Sequence, residues 1–283
     1  MEEERPLPQS QKQYDRRLFL AKSLTFCVAS FLGLNPFSKA QAEEKIFYPI
    51  VNPPVRARPD APPPARIALI IDDIGSSVSR ARAFLALGIP ITFAILPRLQ
   101  YSAPLAEEIH GMGHEIMLHQ PMEPYSRDID PGPGAVYVAY KAPEIEEIVE
   151  NNLSRIPLAT GVNNHMGSRF TSCSSKVVPA LKIIKQKNLF FVDSLTTCHS
   201  KAYKLAKRLH MRTAPRNVFL DHDPRLPAIR LQLAHLKNHA LTYGDAIGIG
   251  HPHIPTLAAL HEFKWSMEEE GSALELVPVS RLL

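Results

Sequence analysis

Two adjacent carboxylates, Asp72 and Asp73, close the stretch RIALIIDDIG at residues 66–75. Like charges at the end of an apolar run need a cation, a shared proton or open water. Imidazoles recur at comparable places further along: His119 in GHEIMLHQPMEP, with Glu123 four residues on, His165 in GVNNHMGSRFT and His251 in AIGIGHPH. Imidazole and carboxylate together are zinc donors, and a catalytic zinc keeps three protein ligands and one open position. Asp73, His119 and His165 could supply those three. Asp72 is then free to take a proton from an acidified water, and His251, facing the pocket from the other side, could give one to a leaving group.

These residues need strands that end together. Short apolar runs at 67–71, 91–96, 115–118, 161–166, 189–192, 217–220, 246–250 and 274–277 alternate with amphipathic stretches at 143–155, 176–187, 224–241 and 255–270, the last with Gly271 as its stop. β-Branched runs separated by helices predict a parallel α/β sheet. About eight such units in roughly 215 residues predict a distorted (β/α) barrel of seven to eight parallel strands, with an open doubly wound sheet as the alternative. The first strand is followed by DDIGSS, without the Gly-rich loop that cradles a dinucleotide. In barrels the chemistry gathers at the C-terminal strand ends, and here six of them carry polar residues, including Asp193-Ser194 and Asp221-His222.

Each residue also has a plainer reading. Asp72 or Asp73 could N-cap a helix starting near Ser76 or Ser77. Glu123, in the Pro-flanked QPMEP, could be solvated. Arg169 could form a surface ion pair or orient a carboxylate. Asp193 is either a helix cap or a partner holding a ligand histidine. Asn164 joins Arg169 and Asp193 as a supporting or substrate-contacting residue, and His253 reads as structural.

The chain has 283 residues, 45% of them apolar, and a net charge of +4 spread without a basic block, which excludes nucleic acid as an expected partner. Arg16 and Arg17 precede an apolar run from Leu18 to Leu34, and Ala40-Gln41-Ala42 supplies the small residues of a cleavage site. Residues 1–42 thus resemble a twin-arginine export signal cut after Ala42, which implies a periplasmic or otherwise exported protein; an uncleaved anchor is the alternative. No later run is apolar enough to span a bilayer. Residues 43–65 form a Pro-rich linker. In an exported protein Cys173 and Cys198 could pair or stay free.

Residues 66–283 resemble the polysaccharide deacetylase superfamily, and more closely its divergent polysaccharide deacetylase branch. IDDIG matches the motif whose first aspartate is the base and whose second binds metal. GHEIMLHQPME matches the second motif through His119, but Glu123 stands where a further ligand histidine is expected. Two repairs follow: Glu123 coordinates through oxygen, or His165 takes its place, the reading favoured here. The Arg-Pro-Tyr-like third motif is absent, although Arg169 lies nearby. AIGIGHPH matches the strand that carries the leaving-group histidine, His251. The resemblance implies a distorted (β/α) barrel, a divalent metal, usually zinc, and removal of N-acetyl groups from a cell-envelope polysaccharide. A glycan-binding or protein-binding envelope module with a protein partner is the competing expectation.

Overall fold

The computed structural model describes residues 64–270 and 273–283. The export signal, most of the Pro-rich linker and the Gly271 stop lie outside them. The elements are β1 (Ala65–Ile74), α1 (Val78–Leu85), β2 (Thr92–Ile95), α2 (Ser102–Gly111), β3 (Glu115–Met122), α3 (Ala142–Arg155), β4 (Gly161–Met166), α4 (Ser174–Gln186) and β5 (Phe190–Asp193). They continue with α5 (Ala202–Arg208), β6 (Thr213–Pro215), β7 (Val218–Phe219), α6 (Leu226–Tyr243), β8 (Asp245–Gly250), α7 (Ile254–Glu270), β9 (Leu274–Leu276) and a 3₁₀ turn at Val279–Leu282.

All strand pairings are parallel, in the order β6-β5-β4-β3-β2-β1-β8-β7, with β9 beside the first residues of β1. The two terminal strands are pieces of one stretch. Thr213–Pro215 pairs with β5 and Val218–Phe219 with β8. Between them the Arg216 amide donates to Asp193 O at 2.9 Å and the Asn217 amide to Ile247 O at 2.9 Å. The curled sheet is a distorted (β/α) barrel, as the alternation of runs predicts.

Strand alternation divides the core in two. Ile67, Leu69 and Ile71 of β1 belong to the larger cluster, shared with residues from the surrounding helices such as Phe84, Ile109, Val149 and Leu236. Ala68 and Ile70 belong to the smaller one inside the curl, with Ala94, Met117, Phe190, Val192, Ile247 and Ile249. Val279 closes this inner cluster at the end opposite the site, where its amide donates to Thr92 Oγ1. The interior is tight: a Cβ on Gly161 would come within 2.2 Å of the Phe190 ring. Only glycine allows β4 and β5 to approach there, and each fully buried Ile or Phe of this core is worth about 1.5–3 kcal/mol.

Several elements differ from the sequence expectation. Helix α1 starts where a helix is expected near Ser76 or Ser77, but α1, α2 and α5 are absent from the expected amphipathic stretches, because each is short. In α1 only Ala81, Phe84 and Leu85 are buried, too few for a clear stripe. β3 runs on through Pro121 to Met122, beyond the expected Leu118, and β1 begins at Ala65, inside the expected linker. Cys173 and Cys198 are both free thiols. Among the described residues no helix is long and apolar enough to cross a membrane.

Candidate active site

The inward-facing series fix what reaches the mouth of the barrel. Counting by twos from the inner cluster, Ala68 and Ile70 lead to Asp72, Met117 to His119, Phe190 and Val192 to Ser194, and Ile247 and Ile249 to His251, while Gly161, set against the Phe190 ring, leads to Asn163 and His165. Strict alternation would turn Asp73 away from Asp72. A register shift in β1 between Ile71 and Ile74 prevents this, with Asp73 itself in the left-handed region at φ 58°. The bulge brings both carboxylates to one centre. The helix after them is capped by Ser77, whose side chain accepts from the Arg80 amide, so neither aspartate is spent as a cap.

Asp73, His119 and His165 converge. His119 Nε2 lies 3.2 Å and His165 Nδ1 2.9 Å from Asp73 Oδ1, and the two nitrogens are 3.1 Å apart. Donors around a tetrahedral ion at about 2.0–2.2 Å stand roughly 3.3 Å from one another, so this triangle needs little adjustment to hold one. Asp73 Oδ1 is buried and has no hydrogen-bond partner; the ring nitrogens lie at contact distance without the alignment of an N–H···O bond. An orphaned buried carboxylate oxygen facing two imidazoles is a set of donors that could hold a divalent cation.

Asn163 sets the state of His119. Its Nδ2 donates to Asp72 Oδ1 at 2.8 Å, which fixes the amide because a carboxylate only accepts. Its Oδ1 then faces His119 Nδ1 at 2.7 Å and accepts from it. With Nδ1 holding the hydrogen, neutral His119 presents a bare Nε2 to the centre, as a ligand must. From the sequence Asn163 is one of the polar residues at the end of its strand without a role of its own, although its position two residues before His165 on one strand is a usable signal.

The charges are shaped by burial. Burial pushes the Asp72 carboxyl up, and Asp73 adds to this; His119, His251 and Asn163 oppose it without reversing it. Burial also acts to raise Asp73, but the His119 and His165 imidazoles overcome it and hold it well below the usual carboxylate range. For His119 burial disfavours the charge, yet Asp72 and Asp73 win and its pKa is raised. The cluster therefore draws positive charge, as a proton or as a metal ion.

His251 stands across the mouth, its Nε2 3.9 Å from Asp73 Oδ2. Its Nδ1 donates to Asp221 Oδ1 at 2.9 Å, and Asp221 Oδ2 accepts from the His251 amide and from Thr256 Oγ1. Burial works against a charged ring, but the hydrogen bond and charge of Asp221, helped by Asp72 and Asp73, raise its pKa to about 9. Asp221 was visible at a strand end, but its role depends on β7 pairing with β8. His253 is exposed, its ring stacked 5.8 Å from His251.

Three expected contributors are engaged elsewhere. Glu123 is not part of the cluster: one carboxylate oxygen accepts from the Val138 amide at 2.6 Å, the other from Arg169 Nη1 at 2.8 Å. Both it and Arg169 anchor the 123–138 loop, while His165 is the side chain that stands beside Asp73 and His119. Asp193 holds no ligand histidine. It accepts from the Leu195 and Tyr203 amides and from Ser200 Oγ, bracing the turn before α5. Asn164 supports the site indirectly, accepting from the Ser194 amide and donating to Met166 O. Asp72, Asp73, His119, Asn164, His165, Ser194 and His251 all line one cavity of about 260 Å³, with apolar walls from Met166, Phe219 and Ile249.

A family model described as divergent polysaccharide deacetylase matches residues 69–283. The chain is 31% identical over 218 residues to the uncharacterized protein YibQ of Escherichia coli K12, covering 77% of this chain and 67% of that one. It is 30% identical over 218 residues to an uncharacterized protein of Haemophilus influenzae, covering 77% and 76%. Among solved structures it resembles the uncharacterized protein ATU2773 of Agrobacterium tumefaciens C58, with a TM-score of 0.70 and 26% identity over 81% of this chain and 93% of that one.

Proposed function

Because the chain belongs to the divergent polysaccharide deacetylase family, we propose that it is a metal-dependent amide hydrolase that removes N-acetyl groups from an exported, cell-envelope polysaccharide. The observation that carries this reading is the orphaned Asp73 Oδ1 facing His119 Nε2 and His165 Nδ1, with the buried Asp72 carboxylate on one side and the Asp221-bound His251 imidazole on the other. Asp73, His119 and His165 would hold the ion, and the imidazole-rich donor set favours zinc. When bound, the ion would polarise the acetyl carbonyl and acidify a water.

The chain's own residues move the protons. Asp72 Oδ1 is held by Asn163, which leaves Oδ2 to accept a proton from the attacking water. Its raised pKa brings the base closer to neutral pH, where proton acceptance is most effective. His251 Nε2, kept charged by Asp221, donates to the departing sugar nitrogen. Met166, Phe219 and Ile249 give the cavity water-excluding walls. The exported location rests on the residue pattern of 1–42 alone, and the glycan substrate on the family.

The test is acetate release from N-acetylated envelope glycan fragments by metal-loaded protein, with and without chelator. Turnover should vanish with chelator. Asp72→Asn should lower kcat about 10²–10⁴-fold with metal content unchanged. Full metal loading with no acetate released from any such glycan contradicts the proposal.

A further inference from the structure

Of the five inward series that reach the mouth, four end in residues with a place in the proposed chemistry: Asp72, His119, His165 and His251. The fifth, from Phe190 and Val192, ends in Ser194. Its main chain is fixed from both sides. The amide donates to Asn164 Oδ1 at 2.9 Å, and the carbonyl accepts from Arg216 Nε at 2.7 Å. The following residue, Leu195, sits at φ 47° and is held by Asp193 through its amide and by Arg216 through its carbonyl. A bulky residue in that region is strained and persists only where its surroundings hold it.

All this fixes one short side chain. Ser194 is 6% exposed, lines the cavity, and its hydroxyl has no hydrogen-bond partner. A buried hydroxyl left unpaired costs free energy, so a site that builds one rigidly has a use for it. We infer that Ser194 Oγ is a specificity-determining contact, hydrogen-bonding a ring hydroxyl of the amino sugar that carries the acetyl group. The inference rests on the proposed deacetylase reading of the same cavity.

Position and chemistry select that partner. The reacting carbonyl must lie over Asp73, His119 and His165, on β1, β3 and β4. Ser194 follows β5, which pairs with β4, so it flanks that centre on the His165 side and lines the same cavity. The cavity joins this hydroxyl to the apolar walls of Met166, Phe219 and Ile249. A pyranose presents apolar faces and a rim of hydroxyls, and a serine hydroxyl can both donate to and accept from such a rim. Sites that pair a buried polar group with a substrate hydroxyl discriminate strongly, since the wrong substrate leaves the group unsatisfied.

The experiment uses the metal-loaded full chain. Binding of the N-acetylglucosamine trimer is measured calorimetrically in the turnover-blocked Asp72→Asn protein, with and without Ser194→Ala. Hydrolysis of the sugarless ester 4-nitrophenyl acetate is followed in otherwise wild-type protein with and without Ser194→Ala. The expected result is about tenfold weaker trimer binding with ester hydrolysis unchanged. Ser194→Ala should melt no lower than wild type, because it deletes an unpaired group. Equal trimer affinity, an equal fall in ester hydrolysis, or no trimer binding by the Asp72→Asn protein overturns the inference. Ser194-dependent trimer binding with no hydrolysis of any acetylated substrate by wild type supports the inference and defeats the deacetylase reading.

Discussion

Two carboxylate–imidazole groups face each other across the mouth of the barrel, built from the same residue types and used differently. At Asp221 the carboxylate is fully engaged: His251 Nδ1, the His251 amide and Thr256 Oγ1 all donate to it. At Asp73 a buried oxygen faces two ring nitrogens and has no hydrogen bond at all. A satisfied carboxylate orients and charges its histidine. An unsatisfied one has a lone pair open to a cation or a donor, because a buried lone pair without a partner is costly. Glu123 belongs to the first class, bound by the Val138 amide and Arg169, which is why its place in the sequence beside His119 misleads.

That contrast can be broken by substitution. The largest effect is expected at Asn163, which joins Asp72 to His119. Asn163→Ala should weaken metal affinity about 10–100-fold in a competitive chelator titration, since the support behind a ligand histidine is worth that much. An unchanged affinity would mean that His119 needs no such fixing.

A smaller, pH-dependent effect should follow Asp221→Asn. His251 has a pKa of about 9 in the folded protein against an ordinary 6.5, so its contribution to stability is full below about 6.5 and lost as pH rises through about 9. Asp221 is shifted the other way: burial raises it but His251 overcomes this, so its contribution is present above its ordinary 3.8 and lost in acid. Denaturant melts of the metal-free protein should therefore show the gap between wild type and Asp221→Asn at its widest between about pH 4 and 6.5, closing toward pH 9 and above. A gap that widens with alkalinity contradicts the pairing.

The smallest effect should come from Glu123→Gln. Loss of one charge-assisted anchor should cost about 1–2 kcal/mol of stability and leave metal affinity where it was. A fall in affinity would return Glu123 to the centre as a ligand.

How much of this could be read from the residues follows from what is local. A continuous apolar run ending in Asp72-Asp73 is a local signal, and so are His119, His165 and His251 at the ends of their runs. The parallel barrel follows from the alternation of such runs with helices. The partnerships were not legible, because they cross strands far apart in the chain: Asn163 reaches Asp72 across 91 residues, and His251 reaches Asp221 across 30. Nor could residue types reveal that Glu123 and Arg169 spend themselves on a loop, or that a bulge at Asp73 overrides strand alternation. Asp193 shows the same limit. A strand-end carboxylate looks like a supporting residue until its three donors prove to belong to the following turn.

The most direct measurement is anomalous diffraction from a crystal of the protein grown or soaked with zinc. One ion should stand within about 2.0–2.2 Å of Asp73 Oδ1, His119 Nε2 and His165 Nδ1 together, with Asp72 and Glu123 outside its coordination. An ion bound instead through Glu123, or a fully soaked crystal with no peak between those three atoms, would contradict the account.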